Sequence, residues 1–171
     1  MKNLILLILS ATLILSSCQK STKNTSTNLS SSRQALLENI TNNIIIPSYE
    51  NLQIEIENLH SNAQIFTNNA TPVNLTNLRN AWHQAYLSWQ HVEMFTIGKA
   101  EAIDYTNSMN TFPCNTTQIN NNISSQSYNL NNANFPSWSS QGFPALDYLL
   151  YGLDSDSNLI LNYYTNIDSS K

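Results

Sequence analysis

Apolar residues recur along this chain at intervals of three and four, the period of one face of an α-helix. Leu36, Leu37, Ile40 and Ile44 form the first such stripe. Ser31 and Gln34 stand before it at capping-box spacing, which predicts a helix start at that point. Pro47 lacks a backbone donor and predicts a kink or a restart. Tyr49, Leu52, Ile56, Leu59, Ala63 and Phe66 then make a second stripe with a polar opposite face. Asn68 to Pro72 reads as a turn. The clearest stripe is Leu78, Ala81, Trp82, Ala85, Trp89 and Val92, on a helix predicted from about Leu75 to Ile97. Gly98 is placed to end it as a left-handed C-cap. A short helix is predicted near Asn115, carrying Ile119 and Ile123. Gln126 to Ser140 is rich in Asn and Ser, contains Pro136, and reads as a long loop. Pro144 suits a first helical turn, where its missing N–H is harmless, so Ala145 to Tyr151 is expected as a short helix stopped by Gly152. Asp154 or Ser155 is expected to cap a last helix through Leu159, Ile160, Tyr163 and Ile167. The expected fold is all-α: a helical bundle with one long irregular connection.

The opening segment carries a different pattern. Lys2 is followed by an apolar run from Leu4 to Leu15, too short to be a comfortable membrane span. The run ends in Leu15-Ser16-Ser17-Cys18, which looks like a bacterial lipobox, with cleavage before Cys18 and lipid on its thiol. The alternative is an ordinary signal peptide with an incidental cysteine. Residues 1–17 are thus expected as a lipoprotein signal peptide. Residues 18–32, rich in Ser, Thr, Asn and Lys, are expected as the lipidated cysteine and a flexible tether. Residues 33–171 are expected as the helical domain. The localisation that follows is the bacterial cell envelope, lipid-anchored, on the periplasmic side or the outer-membrane surface.

Composition narrows the function classes. The chain has 171 residues, 11 % charged residues and a formal net charge of -4. Without Lys2, six basic side chains face eleven acidic ones. That balance argues against nucleic-acid binding, which wants a basic face. Two cysteines exclude a disulfide framework, and lipid on Cys18 leaves Cys114 as a free thiol. Only three glycines and five prolines argue against a many-stranded sandwich. No solenoid repeat, His-Glu-x-x-His, Gly-x-Ser-x-Gly, P-loop or dinucleotide fingerprint is present.

Two carboxylates stand out. Glu93 lies four residues after Trp89, on the face that holds Trp82, Ala85 and Val92. A carboxylate there is costly unless it is paired, hydrogen-bonded or protonated, or unless it snorkels to water. Asp147 lies among apolar neighbours in Gly142-Phe143-Pro144-Ala145-Leu146-Asp147-Tyr148-Leu149-Leu150. The bland alternative is an exposed acid near a helix N-terminus. From Ala100 to Ser170 there is no lysine or arginine, while Glu101, Asp104, Asp147, Asp154, Asp156 and Asp168 all fall there. A buried Asp147 would therefore need Arg79, Lys99 or Arg33 from across the fold, neutral donors, or a bound cation. Oxygen-rich sites without basic residues suit hard cations. His60, His83 and His91 lack zinc-ligand spacing, and the Tyr and Trp residues near Glu93 read as core.

In this order, the segments Pro47-Ser48-Tyr49-Glu50-Asn51-Leu52, Ala81-Trp82 with Trp89-Gln90-His91-Val92-Glu93 to Gly98, Asn110-Thr111-Phe112-Pro113 and Gly142 to Leu150 resemble the imelysin family of bacterial envelope proteins. The resemblance runs from about Arg33 to the C-terminus. It implies two related helical bundles with a site between them, a link to iron uptake, and a classification among metallopeptidases. The family signature Gly-x-His-x-x-Glu, proposed to bind metal, falls on Gly142, Pro144 and Asp147. Pro144 has no ligand atom, and Asp147 is one methylene shorter than glutamate. A His-plus-carboxylate site therefore does not carry over, and zinc hydrolysis, which needs about three protein ligands and an activated water, is not expected. What survives is Asp147, joined by Glu93, either as a weak metal site for a divalent cation (iron, zinc or calcium) or as an altered ligand pocket. Family chains are about twice as long, so this chain reads as the first half. A second helical bundle or a protein partner would then pack on the C-terminal helices, where Leu159, Ile160, Tyr163 and Tyr164 are expected to be exposed.

The sequence thus supports a lipid-anchored envelope binding protein of imelysin type, linked to iron or other metal uptake and non-enzymatic. Its alternatives are a structural or partner-binding surface lipoprotein and, behind both, a metallopeptidase. No catalytic residue is expected. The implied contacts are the membrane, through lipid on Cys18, and no nucleic acid.

Overall fold

The computed structural model describes residues 25–127 and 135–165. The lipobox, Cys18 and Ile167 lie outside the described residues. Every regular element among the described residues is helical, as the periodicity requires. The chain forms two compact units, residues 1–42 and 43–171.

In the first unit the described element is α1, Thr25–Ile40. The start expected at Ser31 is corrected: the helix is already formed at Thr25, so the segment expected as a tether is helical wherever it is described. A helix satisfies its backbone polar groups internally, so a polar sequence can extend one without burying anything. Leu36 and Leu37 are exposed on it.

The second unit holds the core. A π-helical turn, Thr41–Ile45, straddles the unit boundary and precedes α2, Ile46–Asn68, which has Pro47 in its first turn. The proline falls in the first turn of α2, where the N–H it lacks has no partner within that helix. Leu52, Leu59 and Phe66 are buried, and Tyr49, Ile56 and Ala63 pack against them, reproducing the predicted stripe. The turn after Asn68 ends at Thr71, whose hydroxyl accepts the Asn74 N–H at 3.2 Å and caps α3, Pro72–Gln90. α2 and α3 form an antiparallel hairpin. Asn51 donates to the buried Ser88 hydroxyl across it. Leu75, Leu78, Ala81, Ala85 and Trp89 fill the facing side. Each large apolar side chain buried here contributes about 1.5–3 kcal/mol.

The helix expected to reach Ile97 stops at Gln90. His91, Val92 and Phe95 instead donate to carbonyls three residues back, in tight turns. The apolar pattern misled because Val92 stays buried after the helix ends. Tyr49 also pulls the chain aside, its hydroxyl donating to the Phe95 carbonyl at 3.3 Å. Gly98 is no C-cap either: at φ 61°, ψ -118° it precedes the short α4, Lys99–Ala102.

α5, Tyr105–Asn110, follows, and then α6, Thr116–Ser125, which Asn115 caps through the Gln118 N–H. Ile119 is buried on α6 and Ile123 is exposed. The loop expected over Gln126 to Ser140 contains a helical turn, α7, Phe135–Trp138. α8, Gly142–Asp147, passes into a second π-helical turn, Tyr148–Gly152, and α9 is Ser157–Thr165. The α9 cap is corrected to Asp156, whose carboxylate accepts the Asn158 N–H at 2.8 Å. Ile160 is buried and Tyr164 packs on the core, so of the four α9 residues expected to be exposed only Leu159 and Tyr163 are. Among the described residues no helix is long and apolar enough to cross a membrane.

Candidate functional site in the groove beside α8

α8 is fixed at both ends. At its start Gly142 has φ +74°, and a Cβ there would collide with the Met109 carbonyl oxygen. Only glycine lets the α8 backbone lie this close to α5. On its flank, the Trp82 indole N–H donates to the Phe143 carbonyl at 3.2 Å. Past its end, Arg79 Nε donates to the Leu150 carbonyl at 2.9 Å and Nη1 to Ser157 Oγ at 3.0 Å. The same guanidinium lies 4.6 Å over the Tyr151 ring.

Held in this way, α8 lines a groove of about 390 Å³. Its aromatic surface comes from Trp82 and Tyr86 of α3, Phe112, Phe143 and Tyr148. Trp82 and Tyr86 stack at 5.5 Å with an interplanar angle of 12°, and Tyr86 meets Phe143 at 5.2 Å. Asn110, Cys114, Pro144 and Asp147 complete the lining that matters chemically. Asn120 of α6 donates to the Tyr148 hydroxyl at 3.1 Å.

Asp147 is the groove's acid. Its residue is exposed, yet partial burial of its carboxyl pushes its pKa above the usual carboxylate range. Among the described residues it has no ion pair or hydrogen bond. The Cys114 thiol is pushed up as well, first by burial and further by the Asp147 charge, with a backbone hydrogen bond opposing. The thiol therefore keeps its proton at neutral pH, and the groove carries one negative group.

The sequence-derived site residues separate here. Gly142 sets the backbone, while Pro144 and Asp147 line the groove. Glu93 does not line it: it sits half-buried in the turn that follows the end of α3 at Gln90, its N–H donating to the Trp89 carbonyl at 2.9 Å. The structure thus does not bring Glu93 and Asp147 to one groove. Of the residues at the signature positions only Asp147 carries a ligand atom. Among the described residues no three His, Cys, Asp or Glu side chains cluster closely enough to hold a metal ion. The donor set supplied by these residues alone does not fit a resident catalytic metal. His60, His83 and His91 are exposed, and Arg79 is committed to Leu150 and Ser157.

Sequence reasoning missed Trp82 and Tyr86 as groove walls, having assigned them to the core. Both are half-buried, with one side on the core and the other on the groove. Phe112 and Cys114 were missed too. The signal was the Asn110-Thr111-Phe112-Pro113 segment, whose resemblance carried no assigned role.

Neither the curated proteins nor the solved structures contain a significant match to this chain. The family model described as imelysin, peptidase M75, matches residues 45–167. That span contains the α2–α3 hairpin, the α8 groove and its Gly142, Pro144 and Asp147 positions. With most of its length matched, the chain belongs to the imelysin family.

Proposed function

We propose that this protein is a lipid-anchored binding protein of the bacterial cell envelope that serves uptake of iron or another metal and does not hydrolyse peptides. The observation that carries this reading is the α8 groove, built at the family's signature positions around an unpaired carboxylate. Leu15-Ser16-Ser17-Cys18 supports the anchor, with Cys18 as the lipidated residue. The family supports the link to metal. The absence of hydrolysis is supported by the donor set: Pro144 has no ligand atom, and no three His, Cys, Asp or Glu side chains cluster among the described residues, where zinc hydrolysis needs about three protein ligands. A cation cargo meets the Asp147 carboxylate and completes its coordination with water or with donors from a partner.

Calorimetric titration of the protein with Fe²⁺, Zn²⁺ and Ca²⁺ tests the reading. Metal binding that Asp147→Asn abolishes and Glu93→Gln spares is expected. Peptide turnover that a chelator stops would overturn it. A second reading, a partner-docking lipoprotein, is favoured by Leu159 and Tyr163, which are 45 % and 62 % exposed on α9. Recovery of a stoichiometric partner that is lost on Tyr163→Ser would select it.

A further inference from the structure

The groove's walls hold more information than its carboxylate. A bare divalent cation seeks about six or more oxygen ligands. This lining offers one carboxylate, the Asn110 amide, the Tyr86 and Tyr148 hydroxyls and the Cys114 thiol, and its surface is largely aromatic. Aromatic faces attract cations that shed water easily, and an ammonium or guanidinium on a carbon stem does so far better than a metal ion. The groove also lies within the usual size range for small-molecule sites, about 300–1,000 Å³.

The charges around it are complementary to such a guest. No lysine or arginine occurs from Ala100 to Ser170, so the segments that form most of the groove bring no cation of their own. Arg79 is held by Leu150, Ser157 and Tyr151. Lys99 lines a separate hollow with Ile45, Tyr49 and Phe95. Asp147 is left facing aromatic rings without a partner. Phe112, also in the groove lining, is 84 % exposed, so its ring is open to a guest in the groove.

We propose that the α8 groove binds an organic monocation, an ammonium or guanidinium head on a short apolar stem, with Asp147 as counter-charge and the aromatic side chains as its bed. This rests on the reading of the groove as the protein's binding site and goes beyond it, naming an organic cation in place of a bare metal ion as the guest the lining fits. The cation's charge is neutralised by one carboxylate, which is all the groove supplies. Its stem lies against Trp82, Tyr86 and Phe143, and the Phe112 ring covers it from the solvent side.

The test is calorimetry on the full chain with phenethylammonium and its neutral counterpart 2-phenylethanol. Circular dichroism checks that each variant is folded. The ammonium is expected to bind one site about tenfold more tightly than the alcohol. Asp147→Asn is expected to erase that preference, and Phe112→Ala to weaken both probes about threefold. Both changes are at exposed positions, so the fold is spared. Equal binding of the two probes, or a preference that survives Asp147→Asn, overturns the proposal. If metal ions bind through Asp147 and the ammonium does not, this inference fails while the groove stands as a binding site. If neither binds, both fail.

Discussion

Replacing Arg79 with methionine removes the fork that ties α3 to the turn behind the groove. Arg79 Nε and Nη2 both donate to the Leu150 carbonyl, one of the groups left unsatisfied near a helix end. Nη1 donates to Ser157 Oγ, and the guanidinium lies over Tyr151. Hydrogen bonds from a charged donor are worth about 1.5–3 kcal/mol each when buried. Here two donors share one acceptor, the Ser157 bond is solvent-exposed, and the residue is half-buried. The fork and the ring contact together should contribute about 2 kcal/mol. Methionine keeps most of the stem's packing, so Arg79→Met isolates the head group. For a domain of this size, about 2 kcal/mol lowers Tm by roughly 6–8 °C, measurable by circular dichroism on heating. Arg79→Lys keeps a charge near Tyr151 but loses the fork, and should recover less than half of the loss. A second readout is independent of packing. The Arg79 charge pulls the Tyr164 pKa down against burial, so in Arg79→Met the Tyr164 phenol should titrate at still higher pH. A Tm drop of less than about 2 °C, or an unmoved Tyr164 titration, would refute the clamp.

Other outcomes follow from single contacts. Gly142→Ala should destabilise by about 2–4 kcal/mol, because the new Cβ meets backbone atoms that cannot rotate away; urea unfolding would show it. Tyr164 is pushed up to about 12 by burial, and its hydroxyl donates to the Leu149 carbonyl at 2.7 Å. A phenol whose folded pKa is raised gives stability that is complete below the unfolded value of about 10 and is lost as pH rises from there to about 12. The loss should be on the order of 2 kcal/mol and absent in Tyr164→Phe. Asp147→Asn should raise the urea midpoint at neutral pH, since the raised pKa means that folding disfavours the charged carboxyl. That advantage should shrink as pH falls through the folded Asp147 pKa and vanish below the ordinary carboxylate value. Cys114 should react slowly with iodoacetamide at neutral pH and faster in Asp147→Asn, followed by mass spectrometry.

The hairpin was legible because its information is local. Leu52, Leu59 and Phe66 on α2, and Leu78, Ala81, Ala85 and Trp89 on α3, repeat at the helical period and share one buried seam. Pro47 and Pro144 were legible for the same reason, since a missing N–H restricts where a helix can place the residue. What failed was decided by contacts between distant segments. The end of α3 is fixed partly by Tyr49 reaching the Phe95 carbonyl, 46 positions away, which no periodicity records. The π turns at Thr41–Ile45 and Tyr148–Gly152 leave no apolar signature, because they add one residue to a turn without changing which face is apolar. Asp147 was found as an acid among apolar neighbours. Its company in the groove was not, because Trp82, Phe112 and Cys114 come from segments far apart along the chain, brought together by long-range contacts such as Trp82 with the Phe143 carbonyl and Gly142 with Met109.

The position of Pro144 bears on why the groove keeps a carboxylate at all. An unpaired acid beside aromatic rings costs folding energy, and an asparagine at 147 would avoid that cost while filling nearly the same volume. Among the described residues no protein group pairs with it: Arg79 points elsewhere and Pro144 contributes no donor, so only solvent offsets the charge. A group that the fold leaves uncompensated is relieved when a cation arrives from outside. The free energy lost in folding is then returned in binding, and only to ligands of the right sign. The same carboxylate repels anions and gains little from neutral guests, so in the proposed binding role selectivity would come from its isolation rather than from many contacts. The stability gained in Asp147→Asn and the affinity lost in the same variant should therefore appear together. A variant that binds the ammonium less well with no gain in stability would show that Asp147 is already compensated within the fold.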